Sequence, residues 1–171
     1  NDGSCIVEDN GRWIPTATHP KTWKSSLETI LTVLHAGWKF GWGGYKVSGW
    51  LHWVWSSVVN ALSTRMEAIV EREWKKFFLA FEKWITQGDI EVIGKSNRTG
   101  TIIKFWPDNE IFKITTTFDY QTIVNRLRQQ AYLTKWITLK INDERSGQRY
   151  KFYFEWGIKS YVNFLNKNEH S

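Results

Sequence analysis

The sequence predicts an α+β fold, and three observations carry that prediction. Helical periodicity dominates the first third, short β-rich runs between polar turns fill the middle, and a helix, two strands and a closing helix follow. In order, residues 4–9 (Ser-Cys-Ile-Val-Glu-Asp) form a strand that ends in a turn at Asn10-Gly11. Leu27, Ile30, Leu31 and Leu34 fall at helical spacing over 26–35. Residues 36–50 are too rich in glycine for a regular element, and helical periodicity returns over 51–62 with Leu51, Val54, Val58, Val59 and Leu62 on one side. A helix that starts on a glycine-bearing loop presents free N–H groups and a positive dipole end to an anion.

Four strands are expected next, at 66–72, 76–81, 90–93 and 101–106, the last closed by Pro107-Asp108. Asp119 is an N-cap for a helix over 120–133, in which Ile123, Leu127 and Ala131 share a face. Strands at 137–141 and 150–155 flank a turn over 143–147. A last helix begins near Gly157 and carries Ile158, Tyr161, Val162 and Leu165. No internal repeat or proline-rich linker interrupts the series.

Composition narrows the classes of function. At 171 residues the chain suits one domain, or one with the start of a second. A net charge of +6 is spread without blocks, so it reads either as a solvated basic surface or as an affinity for phosphates. The single cysteine, Cys5, excludes an internal disulfide and fits a reducing, cytoplasmic setting. No apolar run approaches the ~20 residues of a membrane-spanning helix, and no signal peptide is visible. The four histidines lack metal-ligand spacing, so no metal-ligating residue is assigned. Thr22-Trp23-Lys24-Ser25 lacks the glycine spacing of a P-loop, and Asn97-Arg98-Thr99 is a sequon without meaning in the cytoplasm.

Two stretches carry most of the chemistry. One is Glu8-Asp9-Asn10-Gly11-Arg12-Trp13-Ile14-Pro15. The other runs from His35-Ala36-Gly37-Trp38-Lys39-Phe40 through Tyr45-Lys46-Val47-Ser48-Gly49-Trp50-Leu51-His52-Trp53-Val54-Trp55 to Val58-Val59-Asn60-Ala61-Leu62-Ser63. Together they resemble the nucleotide-binding motifs of the ATPase subunits of bacterial type II DNA topoisomerases, closest to the gyrase B family. Thr99-Gly100-Thr101, Phe105-Trp106-Pro107, Asp143-Glu144-Arg145 with Gly147, and Gly157-Ile158 leading to Phe164-Leu165-Asn166 continue the likeness in the same order.

The resemblance implies a Bergerat (GHKL) two-layer sandwich, with helices on one face of a mixed, mostly antiparallel sheet. It implies ATP and Mg²⁺ as cofactors. Asp9 would accept a hydrogen bond from the adenine amino group, a task suited to an ionised, acceptor-only carboxylate. Gly11 belongs to the same turn, Thr101 would support the contact through water, and Arg12 and Pro15 would line the outer edge of the pocket. Residues 36–55 would form a lid, with Lys39, Tyr45 and Lys46 near ribose or phosphates. Gly49 and the backbone N–H groups of Leu51, His52 and Val54 would hold the triphosphate. Alone, an Asp-Asn-Gly is usually a turn and a His at a helix start usually a cap; their joint order favours the nucleotide reading.

The likeness also implies what these residues do not supply. The family's general-base Glu and magnesium-binding Asn would precede Asn1, and its γ-phosphate lysine belongs to a following transducer domain. No catalytic residue is therefore assigned, and hydrolysis by this stretch alone is not expected. The expected division is a partial ATPase domain over 1–155 and the beginning of the transducer over 156–171. Implied partners are DNA and a gyrase A-type subunit in the full enzyme, a second copy on ATP binding, and no membrane. The rival within the family is a topoisomerase IV ATPase chain. Another rival, of a different class, is a basic, aromatic module whose indoles stack on bases or sugars.

One departure needs a cause. Trp13, Trp23, Trp38, Trp42, Trp50, Trp53, Trp55, Trp74, Trp84, Trp136 and Trp156 stand where that family commonly carries glycine, and of the 12 tryptophans only Trp106 looks native. Glycine in such loops permits positive φ and close approach to a ligand, and each forced outlier costs about 1–3 kcal/mol. UGA differs by one base from the glycine codon GGA. The pattern therefore predicts a UGA-glycine gene translated as tryptophan, with deliberate mutagenesis as the alternative, and strained loops around 36–55.

Overall fold

A computed structural model describes residues 2–11, 14–16, 24–33 and 56–155. By its contacts the chain divides into two compact units, Asp2–Thr116 and the residues from Thr117 onward. The helix predicted from Gly157 and the expected division at 155–156 involve residues outside the described set, as do Leu34, the glycine-dense stretch and residues 51–55.

In the first unit β1 (Cys5–Asp9) leads to α1 (Ser26–Thr32), and residues 56–61 are helical (α2). Five strands follow: β2 (Ser63–Arg72), β3 (Lys75–Glu82), β4 (Ile85–Thr86), β5 (Glu91–Lys95) and β6 (Gly100–Pro107). The sequence predicts four strands here. The fifth, β4, has only two residues, too short for an alternating pattern to register. The strands run β1-β6-β2-β3-β4, with β5 also paired to β3, and every described pairing is antiparallel.

Register assigns the faces. Met66, Ala68 and Val70 stand opposite Phe105, Ile103 and Thr101 on β6, and opposite Phe81, Leu79 and Phe77 on β3. Because side chains alternate along a strand, these residues share one side of the sheet. Leu27, Ile30 and Leu31 of α1 and Val59 of α2 cover that side, and Phe81, Leu27 and Ala68 are wholly buried there. Two layers with one core between them result.

Polar contacts lock the helices at their ends. The Ser25 hydroxyl caps α1 by accepting from the Glu28 N–H at 3.0 Å. The Glu28 carboxylate accepts from the Thr86 hydroxyl at 2.9 Å, so the short β4 anchors α1. The buried Asn60 of α2 donates from Nδ2 to the Leu31 carbonyl at 3.0 Å, which satisfies an end-of-helix acceptor.

Two hairpins turn in two residues each. Between β2 and β3, Glu73 and Trp74 have φ of 53° and 64°; between β3 and β4, Lys83 and Trp84 have 44° and 74°. Positive φ at both central positions is the type I′ turn, whose twist matches that of the flanking strands.

The second unit holds α3 (Tyr120–Leu133) and the hairpin β7 (Thr138–Asp143) to β8 (Gln148–Tyr153). Asp119 caps α3 as expected, its carboxylate accepting from the Thr122 N–H at 2.7 Å. The buried face differs from the expected one. Val124, not Ile123, joins Ala131 and Phe152 in the core, with Tyr120 and Leu127 beside them, so the stripe steps four, three and four residues along the helix. Strand β8 begins two residues earlier than expected and ends at Tyr153, because the turn closes by Gly147 at φ 72°.

Candidate functional site

The first motif lies where β1 ends. Asp9 pairs with Thr101 of β6, and Thr101 with Val70 of β2. All three side chains thus emerge on the helix-covered side of the sheet, at the edge of the core rather than on its outer surface. Thr101 is buried, while Asp9 is exposed at the rim. One Asp9 carboxylate oxygen accepts from the Gly11 N–H at 2.7 Å, which folds the turn and holds the carboxylate in place.

Gly100 makes this arrangement possible. A Cβ there would meet the Asp9 carbonyl oxygen far inside van der Waals contact, and that backbone atom cannot move aside. Only a residue without a side chain lets β6 approach β1 closely enough to set Thr101 against Asp9. Glycine between two threonines, on a strand facing the Asp-Asn-Gly turn, is the sequence signal for that role.

Arg72 is a second residue that motif reading left unassigned. From the end of β2 its guanidinium donates to the Ile14 carbonyl at 3.1 Å, tying the segment after the turn to the sheet. Ile14 is buried in the core and Pro15 is half-buried beside it. The only hint in the sequence is an arginine that ends the strand carrying Met66, Ala68 and Val70.

On the outer side of the sheet, behind Asp9, an ionic chain crosses the strands. Arg98 reaches both the buried Glu71 of β2 and, at 3.2 Å, Glu8 of β1. Lys76 of β3 approaches Glu71 at 2.9 Å. Burial pushes the Glu71 carboxyl up, but hydrogen bonds from Lys76 and Arg98 outweigh it and hold the group below its ordinary value. Burial pushes the Cys5 thiol above its ordinary value.

Of the expected site residues, Asp9, Gly11, Pro15 and Thr101 are described, and Asp9, Gly11 and Thr101 come together. Arg12, Lys39, Tyr45, Lys46, Gly49, Leu51, His52 and Val54 lie outside the described residues, as does the lid. An open cleft of 620 Å³ adjoins the turn, lined by Asn10, Glu73, Trp74, Ser96, Asn97, Arg98 and Thr99. Neither Asp9 nor Thr101 lines it, so it is separate from the edge at which those two meet.

No protein-family profile matches the chain. The DNA gyrase B protein of Halalkalibacterium halodurans is 50% identical over 167 residues, 97% of this chain and 26% of that protein. Its Campylobacter jejuni counterpart is 49% identical over 168 residues, 98% of this chain and 22% of its own length. The chain resembles DNA gyrase B. It spans about a quarter of those relatives. The 43K ATPase domain of Thermus thermophilus gyrase B, solved in complex with an aminocoumarin, superposes with a TM-score of 0.82 at 36% identity, covering 96% of this chain and 41% of that one. The fold is accordingly that of the gyrase B ATPase domain, the two-layer α+β arrangement the motifs imply. No helix among the described residues is long and apolar enough to cross a membrane.

Proposed function

We propose that the chain is the ATP-binding portion of a gyrase B-like type II topoisomerase, one that couples ATP binding and hydrolysis to DNA strand passage and supercoiling. The pairing of Asp9 with Thr101 across β1 and β6 on the helix-covered side, held by the close approach at Gly100, carries this reading. The Asp9 carboxylate accepts the adenine amino hydrogen. Thr101 stands beside it, and the Arg72 bond to Ile14 holds the outer edge. A purine with a carbonyl in place of that amino group brings two acceptors together, which costs about 1–3 kcal/mol.

The same reading gives Arg12, Lys39, Tyr45, Lys46 and the amides at Gly49, Leu51, His52 and Val54 the ribose and phosphates. DNA, a gyrase A-type subunit and a second ATP-bound copy are the partners of the whole protein, in the cytoplasm. Among the described residues no three His, Cys, Asp or Glu side chains converge, and no step is assigned to a metal.

The test uses the full-length protein. A non-hydrolysable ATP analogue should bind, and its inosine counterpart should bind roughly 10–100-fold more weakly. Asp9→Ala should erase that preference. Equal affinity for the two purines, or undiminished binding by Asp9→Ala, overturns the reading.

A further inference from the structure

We infer that positions 74, 84 and 136 are glycine in the polypeptide made by the gene's own host, because the codon translated there as tryptophan is decoded as glycine. The backbone carries the argument. Four tryptophans are described, and three of them have positive φ: 64° at Trp74, 74° at Trp84 and 65° at Trp136. Residues other than glycine adopt such φ in only a few per cent of cases, mostly Asn, Asp and His, and a bulky side chain there is an outlier. Three of four on one bulky residue type is not a sampling accident.

Turn chemistry points to the same residue. Trp74 and Trp84 are each the second central residue of a two-residue type I′ hairpin, with Glu73 and Lys83 at the first. That second position is where Asn-Gly and Asp-Gly turns place glycine. Trp136 lies in the short connection from α3 to β7, another place where the chain reverses after a helix and glycine is favoured.

Burial does not offset the strain. The Trp74 and Trp136 side chains are 75% and 66% exposed, so two of the largest apolar groups in the chain face water. Trp74 contributes mainly by walling the open cleft beside Asn10, and glycine at 74 removes that wall.

Trp106 is the internal control. It sits within the β6 pairing opposite Arg65, without positive φ, half-buried, with the Lys104 ammonium 4.5 Å from its ring centroid. Here an indole has a use. One rule explains the contrast: UGA read as glycine at the strained positions and UGG read as tryptophan at 106. By the resemblance, the other eight tryptophans also stand where the family commonly carries glycine.

The coding triplets, together with peptide masses of the protein isolated from its own host, test the inference. UGA at 74, 84 and 136 and UGG at 106, with glycine masses at the first three, is the expected result. A UGG triplet or a tryptophan mass at any of the three overturns it. An independent readout is thermal unfolding of the tryptophan-bearing chain: Trp74→Gly, Trp84→Gly and Trp136→Gly should each raise the midpoint by roughly 2–8 °C, and Trp106→Gly should lower it. No gain at any of the three removes the physical basis of the inference.

Discussion

The two units solve the problem of a small core differently. In the first, a sheet of six strands buries Glu71, Thr101, Asn60, Ser57, Ser63 and Asp108 along with its apolar residues. In the second, one helix and one hairpin close on Val124, Ala131 and Phe152, helped by Tyr132 stacked on Phe154 at 4.1 Å. Its ion pair between Asp143 and Arg145, at 2.8 Å, keeps the arginine side chain exposed to water. Burying polar groups is costly unless each finds a partner. Among those groups Thr101 pairs with Asp9 and Glu71 is held by Arg98 and Lys76 behind it, while Asn60 ties α2 to α1.

Three comparisons sharpen the contrast, the largest first. Gly100→Val drives a side chain into the Asp9 carbonyl and should cost about 3 kcal/mol in denaturant unfolding, while Gly94→Ala, with no neighbour within 4 Å, should stay within about 0.5 kcal/mol. Equal effects would mean that β1 and β6 do not depend on close approach.

Next comes Glu71→Gln, which puts an amide against the Lys76 and Arg98 cations and should cost roughly 1–2 kcal/mol at pH 7. Glu71 titrates below its ordinary value in the folded chain, so its stabilisation is complete above about pH 4.5 and is lost as pH falls through the lowered value. The variant should therefore show a shallower acid limb in stability-against-pH curves.

The smallest effect belongs to Asp143→Asn. The Arg145 guanidinium brings the Asp143 carboxyl down to about 2, so what it contributes is present above about pH 4 and fades as pH falls toward 2. At neutral pH only a slight shift in the unfolding midpoint is expected, because the Arg145 side of the pair stays in water. A loss at pH 7 as large as that of Glu71→Gln would erase the distinction between the units.

What the sequence reveals depends on how far each feature's cause lies along the chain. Asp119 and α3 are legible to the residue, since capping and helical spacing are local. Asp9 and Thr101 are legible as a pair only through resemblance, because strand register, not spacing, brings them together. Arg72 and Gly100 owe their roles to a partner on another strand or loop, 58 residues away for Arg72 and Ile14. Strand β4 escapes a sequence reading because two residues cannot show a period. Spacing favours Ile123 over Val124 because which stripe is buried depends on where Phe152 lies.

Strand β1 has β6 on one side and, among the described residues, no strand on the other. Its outward N–H and C=O groups meet no described strand, and a rim of that kind is one onto which another extended segment adds. Ile6 and Val7 are exposed there and would welcome such a visitor; Glu8 and Asp2, tethered to Arg98 and Lys104, set negative charge along the same border. Charged side chains on an edge strand oppose pairing with another chain, so replacing Glu8 and Asp2 by neutral residues should leave a concentrated solution of the chain more prone to cloud.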